Sequence, residues 1–308
     1  MDISFIFHMG IYNVPGFDTG IQKRKVQNGS EWYMKRLLET TEFRPVSGSK
    51  QTKEHHQKVY GEKKYEEFSK DFTLSKWGID AWMAMCKEVN PDATVIITAR
   101  HHDGYCLFPT KTTRFNAVET GPGFDVVQRF KEAALKHGLK FGVYYSWGEF
   151  FKGFTVQYIN SVVIPQVREL MMYDPKVWWF DGHWFCKTKA GSALLRKLCL
   201  DIKASGGVAN DRIGEGNVDL AEFRVHGDRF LPEEKQDHLW QHITTVGLSW
   251  GMLKQGNVYK TTEQIVGLYQ QVKQKGGTFL LNLASDELGR MDPEEWKVLK
   301  ELSEVFVV

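Results

Sequence analysis

Cysteine is scarce: four residues in 308, Cys86, Cys106, Cys186 and Cys199, with no Cys-x-x-Cys spacing. They read as buried thiols, and no disulfide framework is implied. An excess of charge is also missing. Lys and Arg total 40 against 38 Asp and Glu, a formal net charge of +2, so nothing points to nucleic acid or to an acidic membrane surface. No apolar run approaches the roughly eighteen residues of a membrane-spanning helix. Met1 is followed almost at once by Ile3 to Phe7, too short for a leader and without a cleavage-site pattern. A cytoplasmic location is expected for the chain as given, and a secreted or lysosomal one if residues precede it. There is no Gly-rich phosphate loop, no low-complexity linker and no internal repeat. Aromatic residues, by contrast, are plentiful: 10 Trp, 11 Tyr and 20 Phe suit a site with flat apolar walls, although large cores use them too.

Apolar runs and helical periodicity alternate along the chain. Val177, Trp178, Trp179 and Phe180 form an unbroken run that ends at Asp181-Gly182, as expected of a strand buried on both faces. Similar runs predict strands at 3–8, 94–99, 139–146, 207–211, 221–227 and 278–284, with one or two more in 238–250. Helices are expected after Ser30, within 60–68, and at 78–89, 124–137, 156–173, 190–204 and 262–274, and a closing one after Asp292-Pro293. Gly138 should stop its helix, and Pro165 should kink or restart the one it falls in. Alternation of this kind means an α/β fold with a parallel sheet. About eight strands predict a single (β/α)8 TIM-like barrel over residues 1–308. A doubly wound sheet is second, since its phosphate-loop signature is missing.

A barrel gathers the residues just past its strand C-termini at one mouth. Those residues are His8, His101, His102, Tyr144, Tyr145, Asp181, Arg212, Glu222, Trp250 and Asn282. Three chemistries use such a set. Metal-assisted hydrolysis would draw on His8, His101, His102, Asp103 and Asp181. Adjacent His101 and His102 at a strand end should point to different sides, which ill suits a shared metal. Phosphate chemistry around Arg212 lacks a companion Lys or a Gly-rich cradle. Glycoside hydrolysis needs two carboxylates beside the scissile bond, aromatic walls and neutral hydrogen-bonding groups. Asp181 and Glu222 can be that pair, and the near-neutral chain suits a neutral substrate. Tyr145 should face away from the pocket if Tyr144 faces it.

The segments FIFHMGIYNVP, SEWY, ITARHHDGYCLFPTKTTRFN, GLKFGVYYS, VWWFDG, ANDR, GLSWG and GGTFLLNLASDELGRMDP occur in that order across nearly the whole chain. In them the sequence resembles the α-L-fucosidases of glycoside hydrolase family 29. The resemblance implies a retaining exo-glycosidase that releases α-linked L-fucose from oligosaccharides or glycoconjugates through a covalent fucosyl-enzyme. It implies Asp181 as nucleophile and, by a looser match, Glu222 as acid/base, with Glu215, Glu233 and Glu31 as rivals. His8, Glu31, Trp32, His101, His102, Tyr144 and Arg212 match residues that hold the sugar or support the nucleophile. Trp250 matches an aromatic wall for the sugar's methyl group and ring face. No metal and no cofactor are expected, and the partner is a glycan carrying terminal fucose, with a homo-oligomer possible. The family's His-Trp-Gly reads His8-Met9-Gly10 here, and the C-terminal β-sandwich of many members is not expected. The alternative is a catalytically inactive, sugar-binding relative.

Overall fold

Seven parallel strands organise the described residues. In the computed structural model, residues 3–19, 29–40, 47–214 and 216–306 are described. The strands are β1 (Ile3–His8), β2 (Thr94–Arg100), β3 (Lys140–Ser146), β4 (Val177–Asp181), β5 (Val208–Ala209), β6 (Gln241–Thr245) and β7 (Thr278–Ala284). They form one sheet in the order β5-β4-β3-β2-β1-β7-β6. Every pairing is parallel, with Phe5 opposite both Val95 and Leu281, and Trp178 opposite Val143. The sheet curls as in a TIM-like barrel. Parallel pairing requires a crossover between successive strands, and helices supply most of these.

Alternation along each strand sorts the side chains onto two faces. Ile6, Ile96, Tyr144, Trp179, Ile243 and Leu280 pack together inside the curl. Phe5, Phe7, Val95, Ile97, Val143, Tyr145 and Phe180 face the other way and join the larger core under the helices. Tyr145 accordingly faces outward, where its hydroxyl donates to Gln166 and accepts from the buried Arg100.

Local chemistry places the helices. Asp125 caps Val126–Lys136 by accepting from the Gln128 amide, and Gly138 ends the segment at φ 68°. Thr261 and Gln264 form a capping box at the start of Thr262–Gln274. Around Pro165 the chain stays helical, but through a widened π turn at Ile159–Val163 that leads into Ile164–Met171. Proline lacks the amide and crowds the preceding turn, and a wider turn accommodates both defects.

Three expectations need correction. The helix expected within 60–68 lies earlier, at Ser49–Tyr60, and Gly61 at φ 60° ends it; only a 3₁₀ turn, Tyr65–Lys70, follows. Ser30 is not a helix cap; its amide donates to Ser249 Oγ and it begins a 3₁₀ turn. The strand expected at 221–227 is present only as two isolated parallel bridges, Asn210 with Phe223 and Arg224 with Trp240. These bridges tie the segment to the chain beyond β5 on one side and to the chain before β6 on the other.

Candidate active site

Asp181 ends β4, and the residues around it come from the same end of other strands. Its Oδ2 accepts from the Tyr144 hydroxyl at 2.8 Å, its Oδ1 from Arg212 Nη1 at 2.8 Å, and His102 Nε2 stands 3.4 Å away. Only 8 % of the residue is exposed. Burial pushes its carboxyl up, but Arg212 above all, then His102 and Tyr144, hold it well below the usual carboxylate range. It is therefore a desolvated anion at neutral pH. Arg212 also donates through Nη2 to Asp228, so one guanidinium clamps two carboxylates.

A cavity of about 320 Å³, its open mouth included, lies above this group. It is lined by His8, Glu31, Trp32, His101, His102, Tyr144, Trp179, Asp181, Arg212, Asp228, Ile243 and Trp250. Two of its histidines, His8 and His101, are set up as neutral groups. Burial drops His8 to about 4. Its Nδ1–H donates to Asn282 Oδ1 at 2.5 Å, because Asn282 Nδ2 is committed to the Trp250 carbonyl. The His8 Nε2 is then a bare acceptor. His101 is held well below the ordinary histidine value by burial and by its neighbours His102 and His8. Its Nδ1 is buried with no protein partner among the described residues. Burial pushes the Glu31 carboxyl up against the hydrogen bonds it accepts from Gly251 and Ser249. Glu31 Oε2 takes both of those bonds, and its Oε1 is buried without a partner among the described residues. Buried polar atoms without partners cost stability and mark where a ligand would bond.

Flat rings complete the walls. Trp179 stacks on Tyr144 at 5.7 Å and carries the Arg212 guanidinium over its ring at 4.8 Å. Trp250 lies 5.5 Å from the His8 ring. A cavity of this kind binds a small neutral molecule with several hydroxyls and one apolar face.

Over residues 3–306 the chain matches the family model described as Alpha-L-fucosidase. The chain belongs to the alpha-L-fucosidase family. It is 30% identical over 312 residues to the Alpha-L-fucosidase of Dictyostelium discoideum, covering 94% of this chain and 65% of that protein. The chain thus spans just under two thirds of that relative's length. Among solved structures it is similar to a Thermotoga maritima alpha-L-fucosynthase in complex with a fucosyl-fucosyl azide (TM-score 0.84, 29% identity, 98% of this chain and 72% of that one). It is also similar to the Thermotoga maritima alpha-fucosidase in complex with a mechanism-based inhibitor (TM-score 0.80, 31% identity, 98% and 70%).

Of the residues expected at the alpha-L-fucosidase site, nine line the one cavity: His8, Glu31, Trp32, His101, His102, Tyr144, Asp181, Arg212 and Trp250. Glu222 does not. Its Oε1 pairs with Lys203 at 2.7 Å and its Oε2 accepts from the Ala209 amide at 2.9 Å. It borders a separate cavity with Ser4, Thr94, Val177, Val208 and Thr278, residues at the opposite ends of the strands. Glu222 is the foot of a segment that rises through Phe223 and Val225; the top of that segment is Asp228. Glu233 is exposed, and its carbonyl accepts from Lys275. Glu215 lies outside the described residues.

His101 and His102 were expected on different sides, yet both line the cavity with ring centroids 4.3 Å apart. The strand register shifts between Thr98 and Arg100, and both histidines stand beyond the strand in a turn, where strict alternation has ended. Three cavity residues were not among those expected: Trp179, Asp228 and Ile243. Asp228 directly follows the predicted strand 221–227, so the rule that singled out Asp181 also points to it. Among the described residues, no group of three or more His, Cys, Asp and Glu side chains is disposed to hold a metal ion.

Proposed function

We propose that this chain is a retaining alpha-L-fucosidase, acting on terminal α-linked L-fucose. The observation that carries the reading is Asp181: a buried carboxylate kept ionised by Arg212, at the floor of a cavity lined by neutral acceptors and tryptophans. The Thermotoga maritima structures, with a fucosyl-fucosyl azide in one and a mechanism-based inhibitor in the other, agree with a sugar in the corresponding cavity. The fold is read accordingly as a (β/α)8-type ring, the bridged segment 223–225 standing for its missing strand.

One Asp181 oxygen attacks the anomeric carbon as the bond to the leaving oxygen breaks, giving a glycosyl ester. Asp228 enters this step as the acid, one oxygen accepting from Arg212 Nη2 and the other carrying the proton, which it gives to the leaving oxygen. In the second step Asp228 takes a proton from water, the water oxygen bonds to the anomeric carbon, and Asp181 is released with configuration retained. Asp228 suits this role by position. Its side chain is 22% exposed against 11% for Asp181, and it reaches the same guanidinium. Two carboxylates one guanidinium apart suit the close spacing of retaining enzymes, roughly 5–5.5 Å. Glu31, buried and with its carboxyl pushed up, reads a hydroxyl instead, together with the bare nitrogens of His8 and His101. Trp250 and Trp179 take the methyl group and the apolar ring face.

Hydrolysis of an aryl α-L-fucoside tests the reading. Asp181→Ala should abolish nearly all turnover, and added azide should restore part of it while releasing the β-configured fucosyl azide. Full activity of that variant would end the proposal.

A further inference from the structure

A second set of rings begins where the cavity ends. Trp32 and His102 line the cavity, but their outer faces meet residues that do not. Trp32 packs on Phe150 at 4.9 Å, and His102 lies 5.4 Å from Phe150 and 5.2 Å from Trp184. Trp32, Phe150 and Trp184 are all half-buried, so each keeps part of its ring open to solvent.

The backbone fixes this wall. The Phe150 amide donates to the His102 carbonyl at 2.9 Å. Gly182, at φ 72°, turns the chain back into the 3₁₀ turn His183–Phe185 directly after Asp181. Phe185 then anchors that turn by lying on Gly148, where a Cβ would come within 2.4 Å of its ring. Trp184, next to the anchor, is thereby held beside His102. The carboxylate next to Phe150 in the chain is paired: Glu149 meets Arg100 at 2.7 Å and Lys152 at 2.8 Å. Trp32, Phe150 and Trp184, grouped around His102 at the edge of the cavity, offer apolar faces that fit the C–H face of an uncharged pyranose.

We infer that Trp184, with Phe150 and Trp32, is the platform for the sugar to which the fucose is attached. The inference rests on the fucosidase reading and adds to it the class of leaving group: a neutral pyranose stacked on aromatic rings. Trp184 is a specificity residue, since it touches the leaving unit and not the reacting atoms.

The test compares kcat/KM on a fucosyl disaccharide with kcat/KM on α-L-fucosyl fluoride, whose leaving group is one atom. Trp184→Ala should lower the ratio of the two about tenfold, mainly through KM, and Trp184→Phe should restore most of it. An equal fall on both substrates would overturn the platform, as would an unaltered ratio. Wild-type turnover of the fluoride but not of the disaccharide would overturn it and spare the fucosidase reading. Inertness of the wild type to both would bring down the reading and the platform together. If Trp184→Ala does not fold, Phe150→Leu serves for the same ratio, with the same outcomes.

Discussion

Arg212 Nη1 donates to Asp181 Oδ1 at 2.8 Å, and both residues are buried. The pair makes Asp181 an anion in a place where burial alone would have neutralised it. The other nitrogen of the guanidinium holds Asp228, so removing Arg212 leaves two neighbouring carboxylates with no cation between them. Arg212→Ala should cost about 3–5 kcal/mol of stability, the usual penalty for breaking a buried pair. Arg212→Lys keeps a charge but loses the fork, and kcat should fall by about a hundredfold. Without the arginine the Asp181 carboxyl moves up, so the acid limb of the kcat/KM profile should shift to higher pH. An acid limb that stays in place would detach Asp181 from the observed rate.

Glu222 and Asp228 make opposite predictions. Glu222 is tied to Lys203 and the Ala209 amide at the far end of the strands, and Glu222→Gln should keep turnover within about twofold of wild type. Asp228→Ala should lose about a thousandfold on a sugar leaving group and far less on a dinitrophenyl one, which needs no proton. Added azide should give the α-configured fucosyl azide with Asp228→Ala, opposite to the product from Asp181→Ala. A variant at Glu222 with the leaving-group dependence expected of Asp228 would reverse the assignment.

The contrast shows what a sequence pattern could and could not convey. Unbroken apolar runs such as Val177 to Phe180 mark the buried strands, and those strands carry His8, Tyr144 and Asp181 to the mouth. The segment around Glu222 alternates plainly, with Ala221, Phe223 and Val225 apolar and Glu222, Arg224 and His226 polar, although it forms only two isolated bridges. The bounds expected for it, 221–227, already put Glu222 at the foot and Asp228 just past the top; the looser family match, not the pattern, favoured Glu222. His101 and His102 failed for another reason, because a turn beyond a register shift does not obey strand alternation. Glu31 reaches the pocket through Ser249 and Gly251, contacts 218 and 220 positions away in the chain, and no local pattern encodes them.

Burial of neutral His8 should make stability depend on pH. Its folded value is about 4 and its ordinary value 6.5, so the unfolded chain takes up the proton first as pH falls. The linked stability is present above about 6.5 and is lost on the way down to 4, by about 3 kcal/mol. The difference in unfolding free energy between wild type and His8→Asn should therefore shrink over that range. A constant difference in urea titrations from pH 7 to pH 4 would contradict a neutral His8.

Glu295 should act in the opposite direction. It is buried, its Oε2 accepts from the Ala284 amide at 2.7 Å, and burial pushes its carboxyl up to about 8, with Asp292 adding to the rise and Lys260 opposing it. A raised carboxyl is at no disadvantage below its ordinary value of 4.5, and its linked stability is lost as pH climbs toward 8. Glu295→Gln should gain on wild type by roughly 4–5 kcal/mol between those limits. Parallel curves of stability against pH for the two proteins would rule out the buried acid.

Covalent trapping tests the nucleophile most directly. A fluorinated fucosyl fluoride, which forms the glycosyl-enzyme faster than water can release it, should inactivate the protein with one added sugar by mass. After proteolysis, the label should sit on the peptide containing Asp181 and be absent from those containing Asp228, Glu31 and Glu222. A label on any other carboxylate, or inactivation with no added mass, would contradict the assignment of Asp181.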